Sequence, residues 1–279
     1  MPNRAEKLRK AYAASIVRRA GVADPRVEAA FAAVPREDFS GPAPWSLSGG
    51  LFSRGGEGDL AGLYDDVLVV IDAGRGINNG QPSLHAMSIA ALAIEEGETV
   101  MQVGAGAGYY TAILAYLVGP TGKVFAYEIE ADIAERARKN LASFPQVEVR
   151  ARSAVGEDLP KADAIYVNAA ASHPPRAWLE ALNPGGRLLF PLQAAHSSGA
   201  MLLVTRPEEE QQSWPARMLT DVVFVACQGA QDPEMARRLG DAFRRGGAYQ
   251  VCWLKFGAEP GKGVWLQGDG WALTMGEAG

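Results

Sequence analysis

The first forty residues carry apolar side chains at the spacing of a helix. Tyr12 and Ile16 are one helical turn apart, and basic residues lie between the apolar positions. This pattern predicts an amphipathic helix. A second, shorter helix is predicted to follow, because Asp24 and Pro25 combine an N-cap residue with a proline at the first turn.

Residues 41–80 have a different amino-acid composition. Gly, Pro, Ser and Asn are frequent there, and one β-branched run at 67–71 predicts a strand. A loop is expected over 72–80. An irregular segment inside a folded protein is often functional, so this region is a candidate for the substrate side of a site.

From 81 to 205, short apolar runs alternate with amphipathic segments. The strands are predicted at 99–103, 123–128, 147–150, 164–168 and 187–191. The helices are predicted at 84–93, 110–117, 131–141 and 176–182. Such alternation with short loops is typical of a parallel sheet covered by helices on both faces. The sequence therefore predicts an α/β, Rossmann-like, doubly wound fold with a mostly parallel sheet.

The C-terminal part of the chain continues in shorter elements. Closing strands are predicted at 201–206 and 222–227, with an antiparallel direction left open. The tail is predicted to form a helix at 235–244 and strands at 250–256 and 263–267, joined by residues 257–262. We expect its tryptophans to dock on the core, with docking on a partner as the alternative.

Three segments result from these patterns. Residues 1–80 form a helical segment with a substrate-side loop, residues 81–230 form the core, and residues 231–279 form an α/β extension packed on that core. The division is a prediction from local sequence texture.

Composition narrows the classes of function. A net charge of -5 over 279 residues argues against a dedicated nucleic-acid binder, which usually carries a basic excess. Two cysteines are too few for a disulfide framework, and the three histidines lack metal-ligand spacing, so no metal is expected. No apolar run approaches the roughly 18 residues that cross a bilayer. The charged start of the chain lacks the apolar region of a secretory signal, so a cytoplasmic location is expected.

The strongest local signal is a glycine-rich segment between a predicted strand and a predicted helix. It consists of Gly104, Ala105, Gly106, Ala107 and Gly108. Glycines let the backbone turn sharply and approach a ligand, and the following helix N-terminus presents free amides. The form G-x-G-x-G is common where the ligand carries an adenosyl group without a pyrophosphate.

An acidic residue follows at the expected place. Glu128 ends the next predicted strand, 24 positions after Gly104. A carboxylate at the tip of the second strand is where a pair of ribose hydroxyls is held in folds of this kind. The alternative is that Glu128 only begins the next helix.

These features resemble the S-adenosylmethionine-dependent methyltransferases, and more specifically the protein-L-isoaspartate O-methyltransferases. The matching sequence motifs are VPREDF at 34–39, LYDD at 63–66, QP at 81–82, VGAGAGY at 103–109, AAA at 169–171 and GGRL at 185–188. The VPRE-x-F motif is fairly specific to this family, whereas many methyltransferases share the glycine segment and the PGGRL motif. The resemblance covers about residues 5–227, interrupted by a long loop at 40–62, and does not include the tail.

The resemblance implies a cofactor and a reaction. The glycine segment would hold the methionine and ribose portions of S-adenosyl-L-methionine, and Glu128 would take the ribose hydroxyls. The reaction would be methyl transfer to the free carboxylate of isoaspartate in a damaged peptide, which gives an ester that collapses to a succinimide. A carboxyl group ordinarily has a pKa of about 4, so it is an ionised nucleophile at pH 7 and needs no general base.

The chain departs from the family at the substrate-binding motif. In the family this motif is Thr-Ile-Ser, then any residue, then Pro. Counting back from the glycine segment places the serine at Gly80 and the isoleucine at Asn79. The hydroxyl credited with handling the acceptor carboxylate is therefore missing at its matching place. Ser83 is the candidate replacement, and the alternative is that it is the N-cap of the next helix.

Other candidates surround the same region or lie further on. Ser153 replaces the acid expected to hold the adenine amino group, and Asn168 follows a predicted strand at the carboxyl edge of the sheet, where ligands lie in such folds. Gln81 and His85 are further substrate-side candidates.

Three functional hypotheses remain open. The first is an isoaspartyl-repair O-methyltransferase acting on a protein or peptide with aspartyl damage. The second is a methyltransferase with a different acceptor, such as a small molecule or a specialised peptide. The third is a cofactor-binding module without catalysis. No nucleic-acid or membrane partner is expected, and the oligomeric state is left open.

Overall fold

A computed structural model of the chain describes residues 3–49, 56–156, 158–257 and 263–276. It contains two compact units, Met1–Arg152 and Ser153–Gly279. Of the helices in the described ranges, none has both the length and the apolar character that crossing a membrane requires.

The Met1–Arg152 unit contains seven helices and seven strands within the described residues. In chain order they are α1 (Arg4–Ala20), α2 (Pro25–Ala33), α3 (Glu37–Ser40), β1 (Trp45–Gly49), β2 (Gly56–Gly58), α4 (Leu60–Leu63), β3 (Val67–Asp72), β4 (Ile77–Asn78), α5 (Pro82–Leu92), β5 (Thr99–Val103), α6 (Tyr109–Val118), β6 (Lys123–Tyr127), α7 (Ala131–Asn140) and β7 (Val147–Arg150).

The predicted N-terminal helices are confirmed. Helix α2 begins with Asp24 as its N-cap, whose side chain accepts a hydrogen bond from the Arg26 amide, and Pro25 occupies the first turn. Tyr12 and Ile16 of α1 are buried together with Phe31 of α2. The apolar stripe read from the sequence is therefore the packed face of the helix.

Residues 41–80 are more ordered than predicted. Strands β1, β2, β3 and β4 form an antiparallel sheet in the order β2-β1-β3-β4. Trp45, Leu63 and Val69 form a small buried cluster beside it. The predicted loop at 72–80 is wrong in part, because β4 pairs with β3 within it. Residues 50–55 of the long loop lie outside the described residues.

Strands β5, β6 and β7 form the parallel part of this unit. Each residue of β5 pairs with one of β6, from Thr99 with Lys123 to Val103 with Tyr127. Val100 and Val124 are fully buried, as expected for strands covered on both faces. The glycine-rich segment and Glu128 lie at the carboxyl ends of β5 and β6.

The Ser153–Gly279 unit continues the strand and helix numbering. In chain order its elements are β8 (Ala162–Val167), α8 (Arg176–Ala181), β9 (Leu182–Leu192), β10 (Gly199–Thr205), β11 (Ser213–Val222), α9 (Pro233–Arg245), β12 (Val251–Phe256), β13 (Val264–Gln267) and β14 (Trp271–Met275). Strands β8 and β9 are parallel, and the pairings from β9 through β10, β11, β12, β14 and β13 are antiparallel. The predicted α/β, Rossmann-like fold class is confirmed.

One predicted strand is wrong. Of the predicted run at 222–227, Val222 ends β11 and residues 223–227 form no strand, with Val223 78% exposed. Partners outside β11 satisfy the backbone there. The Gln193 side-chain amide donates to the Phe224 carbonyl and accepts from the Phe224 amide, and Ala170 forms a single parallel bridge with Ala226.

The tail predictions are confirmed for the helix and both strands, and β14 is an additional strand that the sequence did not predict. Trp265 and Trp271 are buried within this unit. Residues 258–262 of the predicted connection lie outside the described residues. The three-segment division at 80 and 230 stays a prediction.

Candidate functional site

The glycine-rich segment turns sharply between β5 and α6. Gly104, Gly106 and Gly108 have φ angles of 77°, 55° and 94°, which lie in the left-handed region that favours glycine. The amides of Gly104 and Ala105 both donate to the Tyr127 carbonyl, at 2.9 and 3.0 Å. The segment is thus anchored to the end of β6, beside Glu128.

The Glu128 carboxylate is held by the same segment. It is 7% exposed, one oxygen accepts from the Gly106 amide at 2.8 Å, and the other accepts from the Glu130 amide at 3.1 Å. Helix α7 begins three residues later, at Ala131, with Glu130 as its N-cap. Each carboxylate oxygen can accept a further hydrogen bond, so two adjacent hydroxyls of a ligand match this group.

The space around the glycines differs from one position to the next. A Cβ atom added at Gly106 would lie 3.5 Å from Cδ1 of Ile71, which is ordinary contact, whereas at Gly108 it would lie 2.8 Å from Cδ1 of Leu141. A side chain at Gly108 would therefore require the Leu141 side chain to move. A buried carboxylate beside this glycine turn fits an adenosyl group with a free ribose diol.

Arg75 ties the loop after β3 to the start of α7. Its guanidinium donates to Glu130 at 2.7 Å and to both oxygens of Asp132, at 3.0 and 2.7 Å. Hydrogen bonds from Arg75 lower the pKa of Asp132 to about 2. This exposed network lies at the same strand ends as Glu128.

Asp66 organises the substrate-side candidates, a role that the sequence pattern does not reveal. Its carboxylate accepts from the Ser83 hydroxyl at 2.7 Å, from the Ser83 amide at 2.8 Å and from the Gln81 side chain at 2.9 Å. The capping interpretation of Ser83 is wrong, because Gln81 is the N-cap of α5 and Ser83 is its second residue. Asp66 instead accepts from the Ser83 amide, in the first turn, from outside the helix.

Asn79 pins β3. Its side-chain oxygen accepts from the Val69 amide at 2.7 Å, and its own amide donates to the Val69 carbonyl at 3.0 Å. This candidate therefore has a structural role in the small sheet, and contact with a substrate stays a prediction.

His85 occupies the space beside Gly80. A Cβ atom at Gly80 would overlap Nε2 of His85 and lie 2.9 Å from its Cδ2, and Gly80 has a φ of 72°. The His85 ring is buried and stacks on Tyr110 with centroids 3.6 Å apart. Burial, and secondarily the positive charge of Arg36, lower the pKa of His85 to about 3. The ring is thus neutral at pH 7, and it fills the place of a side chain at position 80.

Arg36, from the VPREDF motif, holds the backbone around Asp66 in place. It is fully buried, and its guanidinium donates to the carbonyls of Leu63, Asp65 and Val67, at 2.6, 3.0 and 2.5 Å. These bonds fix the backbone on both sides of Asp66. The VPREDF motif, on which the family resemblance was based, therefore positions the substrate-side segment.

Ser153 and Asn168 belong to the Ser153–Gly279 unit. The Ser153 hydroxyl accepts from the Val155 amide at 3.0 Å, and Asn168 is half-buried directly after β8. Their contacts with a cofactor or substrate stay predictions.

Comparison with known proteins identifies the family. The family model of protein-L-isoaspartate(D-aspartate) O-methyltransferase matches residues 59–232. A protein-L-isoaspartate O-methyltransferase of Methylorubrum extorquens is 34% identical over 84% of this chain and 94% of its own length. One from Bradyrhizobium is 31% identical over 80% of this chain and 94% of its own length.

Solved structures agree in fold. A protein-L-isoaspartate O-methyltransferase structure has a TM-score of 0.65 with 22% identity, covering 85% of this chain and 68% of its own. A beta-aspartate methyltransferase from Plasmodium falciparum, solved with S-adenosyl-L-homocysteine, has a TM-score of 0.61 with 21% identity, covering 79% of this chain and 98% of its own. The resemblance read from the sequence words is confirmed, and the chain belongs to the protein-L-isoaspartate (D-aspartate) O-methyltransferase family.

Proposed function

We propose that this chain methylates the free carboxylate of an isoaspartyl residue in a damaged protein or peptide, with S-adenosyl-L-methionine as the methyl donor. The observation that carries the proposal is the Glu128 carboxylate, buried and held by the Gly106 amide within a left-handed glycine turn. Membership of the family supplies the reaction class.

The residues at the ends of β5 and β6 would hold the cofactor. The glycine-rich segment leaves open backbone beside the helix N-terminus, and Glu128 would accept hydrogen bonds from the two ribose hydroxyls. Ser153 is the proposed contact of the adenine amino group. When bound, S-adenosyl-L-methionine supplies a methyl group on a positively charged sulfur, which a carboxylate oxygen can attack directly.

The chain itself needs to move no proton in this reaction. A carboxyl group with an ordinary pKa of about 4 is ionised at pH 7, and His85 is neutral there because its pKa is lowered to about 3. The work of the protein is alignment of the two reactants and exclusion of water. Asp66 contributes by fixing Gln81 and Ser83 at the start of α5.

A second candidate function is methylation of a different carboxylate acceptor. The observation that favours it is the contact between Gly80 and His85, since the family serine at position 80 has no room beside this imidazole. The polar groups offered to an acceptor therefore differ from those of the family pattern.

The partner in either case is a peptide or protein substrate, or for the second candidate a small molecule. The cytoplasmic location and the absence of a nucleic-acid partner stay predictions from the sequence.

Methyl transfer to matched peptides tests the proposal. Two synthetic peptides of one sequence, with isoaspartate or with ordinary aspartate at a single position, are incubated with methyl-labelled cofactor. We expect base-labile label, released as methanol, from the isoaspartyl peptide alone. Absence of label in both would reject the repair activity, and equal label in both would favour the second candidate.

A further inference from the structure

The Ser153–Gly279 unit contains a groove that the proposed chemistry does not use. Its volume is about 830 Å³, which is in the range of sites that take small ligands or short peptide segments. We call it the C-terminal groove and define it by these lining residues: Arg206, Trp214, Asp232, Phe256, Asp269 and Trp271.

Three aromatic rings form one wall of the C-terminal groove. Strand register places Trp214 opposite Leu254 and Phe256 opposite Trp271. Because side chains two positions apart on a strand point to the same face, all three rings share one face of β11, β12 and β14. Trp214 and Phe256 also meet edge to face, with centroids 5.0 Å apart. This wall suits an apolar or aromatic side chain of a ligand.

Two ion pairs on the helices lining the groove are satisfied internally. Arg176 donates to Glu180 at 2.6 Å on α8, and Arg238 donates to Glu234 at 2.8 Å on α9. Neither pair leaves a net charge for a ligand.

The remaining charges favour a cation. Within the described residues, Asp232 and Asp269 make no ion pair with a basic side chain. Arg206 is occupied in part, because it donates to the Leu182 carbonyl at 2.7 Å and lies 5.8 Å from the Trp214 ring centre. Asp232 also caps α9, where it accepts from the Met235 amide at 2.7 Å, and its charge acts on His173, whose pKa is lowered chiefly by burial. Two carboxylates outside any ion pair with Lys or Arg, beside aromatic faces, attract a lysine or arginine side chain both by charge and by cation–π contact.

The groove combines residues inside the family match with residues beyond it. The match ends at residue 232, whereas Phe256, Asp269 and Trp271 all lie beyond it. The C-terminal groove is therefore completed by sequence that follows the family match, while Arg206, Trp214 and Asp232 belong to the matched part.

We propose that the C-terminal groove binds a peptide segment in which a lysine or arginine lies beside an aromatic or large aliphatic side chain. The aromatic wall takes the apolar side chain, and Asp269 and Asp232 pair with the basic one. The further step, that this segment is part of the protein being methylated, rests on the proposed function. The binding itself does not.

Fluorescence anisotropy with labelled, end-blocked pentapeptides tests the binding step. The probes are Gly-Lys-Phe-Lys-Gly, Gly-Glu-Phe-Glu-Gly and Gly-Ser-Ala-Ser-Gly, none of which contains an aspartyl residue. We expect the Lys-Phe probe to bind about tenfold or more tightly than either other probe, a difference of about 1.4 kcal/mol. Equal binding of the Lys-Phe and Glu-Phe probes, or binding of none, would overturn the proposal.

Asp269→Lys locates the site on the protein. Asp269 is exposed and lies in the turn between β13 and β14, so the variant is expected to fold. Affinity for the Lys-Phe probe should fall about fivefold or more, the upper range for one exposed charge contact. Glu28→Lys is the matched control, because Glu28 is exposed on α2 and the change in net charge is the same. An equal loss in both variants would show that only net charge matters and would overturn the proposal.

Failure of this inference is distinguishable from failure of the proposed function. Two isoaspartyl peptides, with and without an appended Lys-Phe-Lys segment, are compared as methyl acceptors. The appended segment should lower KM for the unaltered protein and not for Asp269→Lys, while kcat is unchanged. Methyl transfer without this difference overturns the link to the acceptor alone, and probe binding without methyl transfer overturns the proposed function alone.

Discussion

Nε2 of His85 overlaps the space that a Cβ atom at Gly80 would fill, and Cδ2 of the same ring lies 2.9 Å from that Cβ position. Real Cβ atoms do not come this close to another heavy atom, so the two positions cannot both carry their side chains without movement. The His85 ring has little freedom to move, because it is buried and stacked on Tyr110. In this structure, a side chain at position 80 and the His85 ring therefore compete for one space.

Gly80→Ser should destabilise the protein. The new side chain meets the His85 ring and also adopts a φ of 72°, and each of these effects costs on the order of 1–3 kcal/mol. Removing the ring by His85→Ala opens the space, so the double variant should be more stable than the sum of the two single effects predicts.

Urea unfolding of the unaltered protein, both single variants and the double variant measures this coupling. We expect a favourable coupling free energy of about 1 kcal/mol or more between positions in contact. A coupling of zero would show that the two side chains do not compete for one space.

The free energy of unfolding should decrease as pH is lowered, over a range set by the two pKa values of His85. Its pKa is lowered to about 3 in the folded state, while the unfolded state binds the proton near pH 6.5. The unfolded state therefore binds more protons between these values, and the contribution of the neutral His85 ring is present above pH 6.5 and is lost as pH falls toward 3.

His85→Gln isolates this effect. Between about pH 7.5 and 5.5 the unaltered protein should lose about 1.4 kcal/mol more unfolding free energy than the variant. His173, whose pKa burial also lowers, is present in both proteins and cancels. Parallel pH profiles for the two proteins would contradict burial of a neutral His85.

Asp66→Asn should weaken the start of α5. The amide cannot accept from the Ser83 hydroxyl, the Ser83 amide and the Gln81 side chain as the carboxylate does. The expected loss in unfolding free energy is about 1–3 kcal/mol, the cost of leaving such donors unmatched. KM for the peptide should rise, because Gln81 and Ser83 lose their common anchor.

Asp65→Asn is the neighbouring control. Asp65 is exposed, and its contact with Arg19 is 3.8 Å long, so its replacement should change stability by less than about 0.5 kcal/mol. Equal effects at both positions would deny Asp66 its special role.

The elements that local patterns specify were predictable from the sequence. Strands β5 and β7 have the predicted bounds, because short apolar runs between turn residues identify buried strands. Strand β11 was not predicted, since its mixture of polar residues and Pro215 hides the alternation. The apolar run after it has the composition of a strand, but the Gln193 side chain and a single bridge to Ala170 satisfy its backbone.

The candidate site divides in the same way. The glycine-rich segment and Glu128 are recognisable because strand-end position and residue type are both local properties. Asp66 was not recognised, because it acts on Ser83 across 17 positions of sequence. The occupation of position 80 by His85 likewise depends on a side-chain direction that no pattern of residue types contains.

Calorimetric titration with S-adenosyl-L-homocysteine tests the central claim, that the glycine-rich segment and Glu128 hold the adenosyl group. The unaltered protein should bind the ligand, and Glu128→Ala should weaken binding by about 1–3 kcal/mol, the cost of leaving buried hydroxyls unmatched. Glu135→Ala, on the exposed face of α7, should bind as the unaltered protein does. An unchanged dissociation constant in Glu128→Ala, with the fold intact by circular dichroism, would contradict the account.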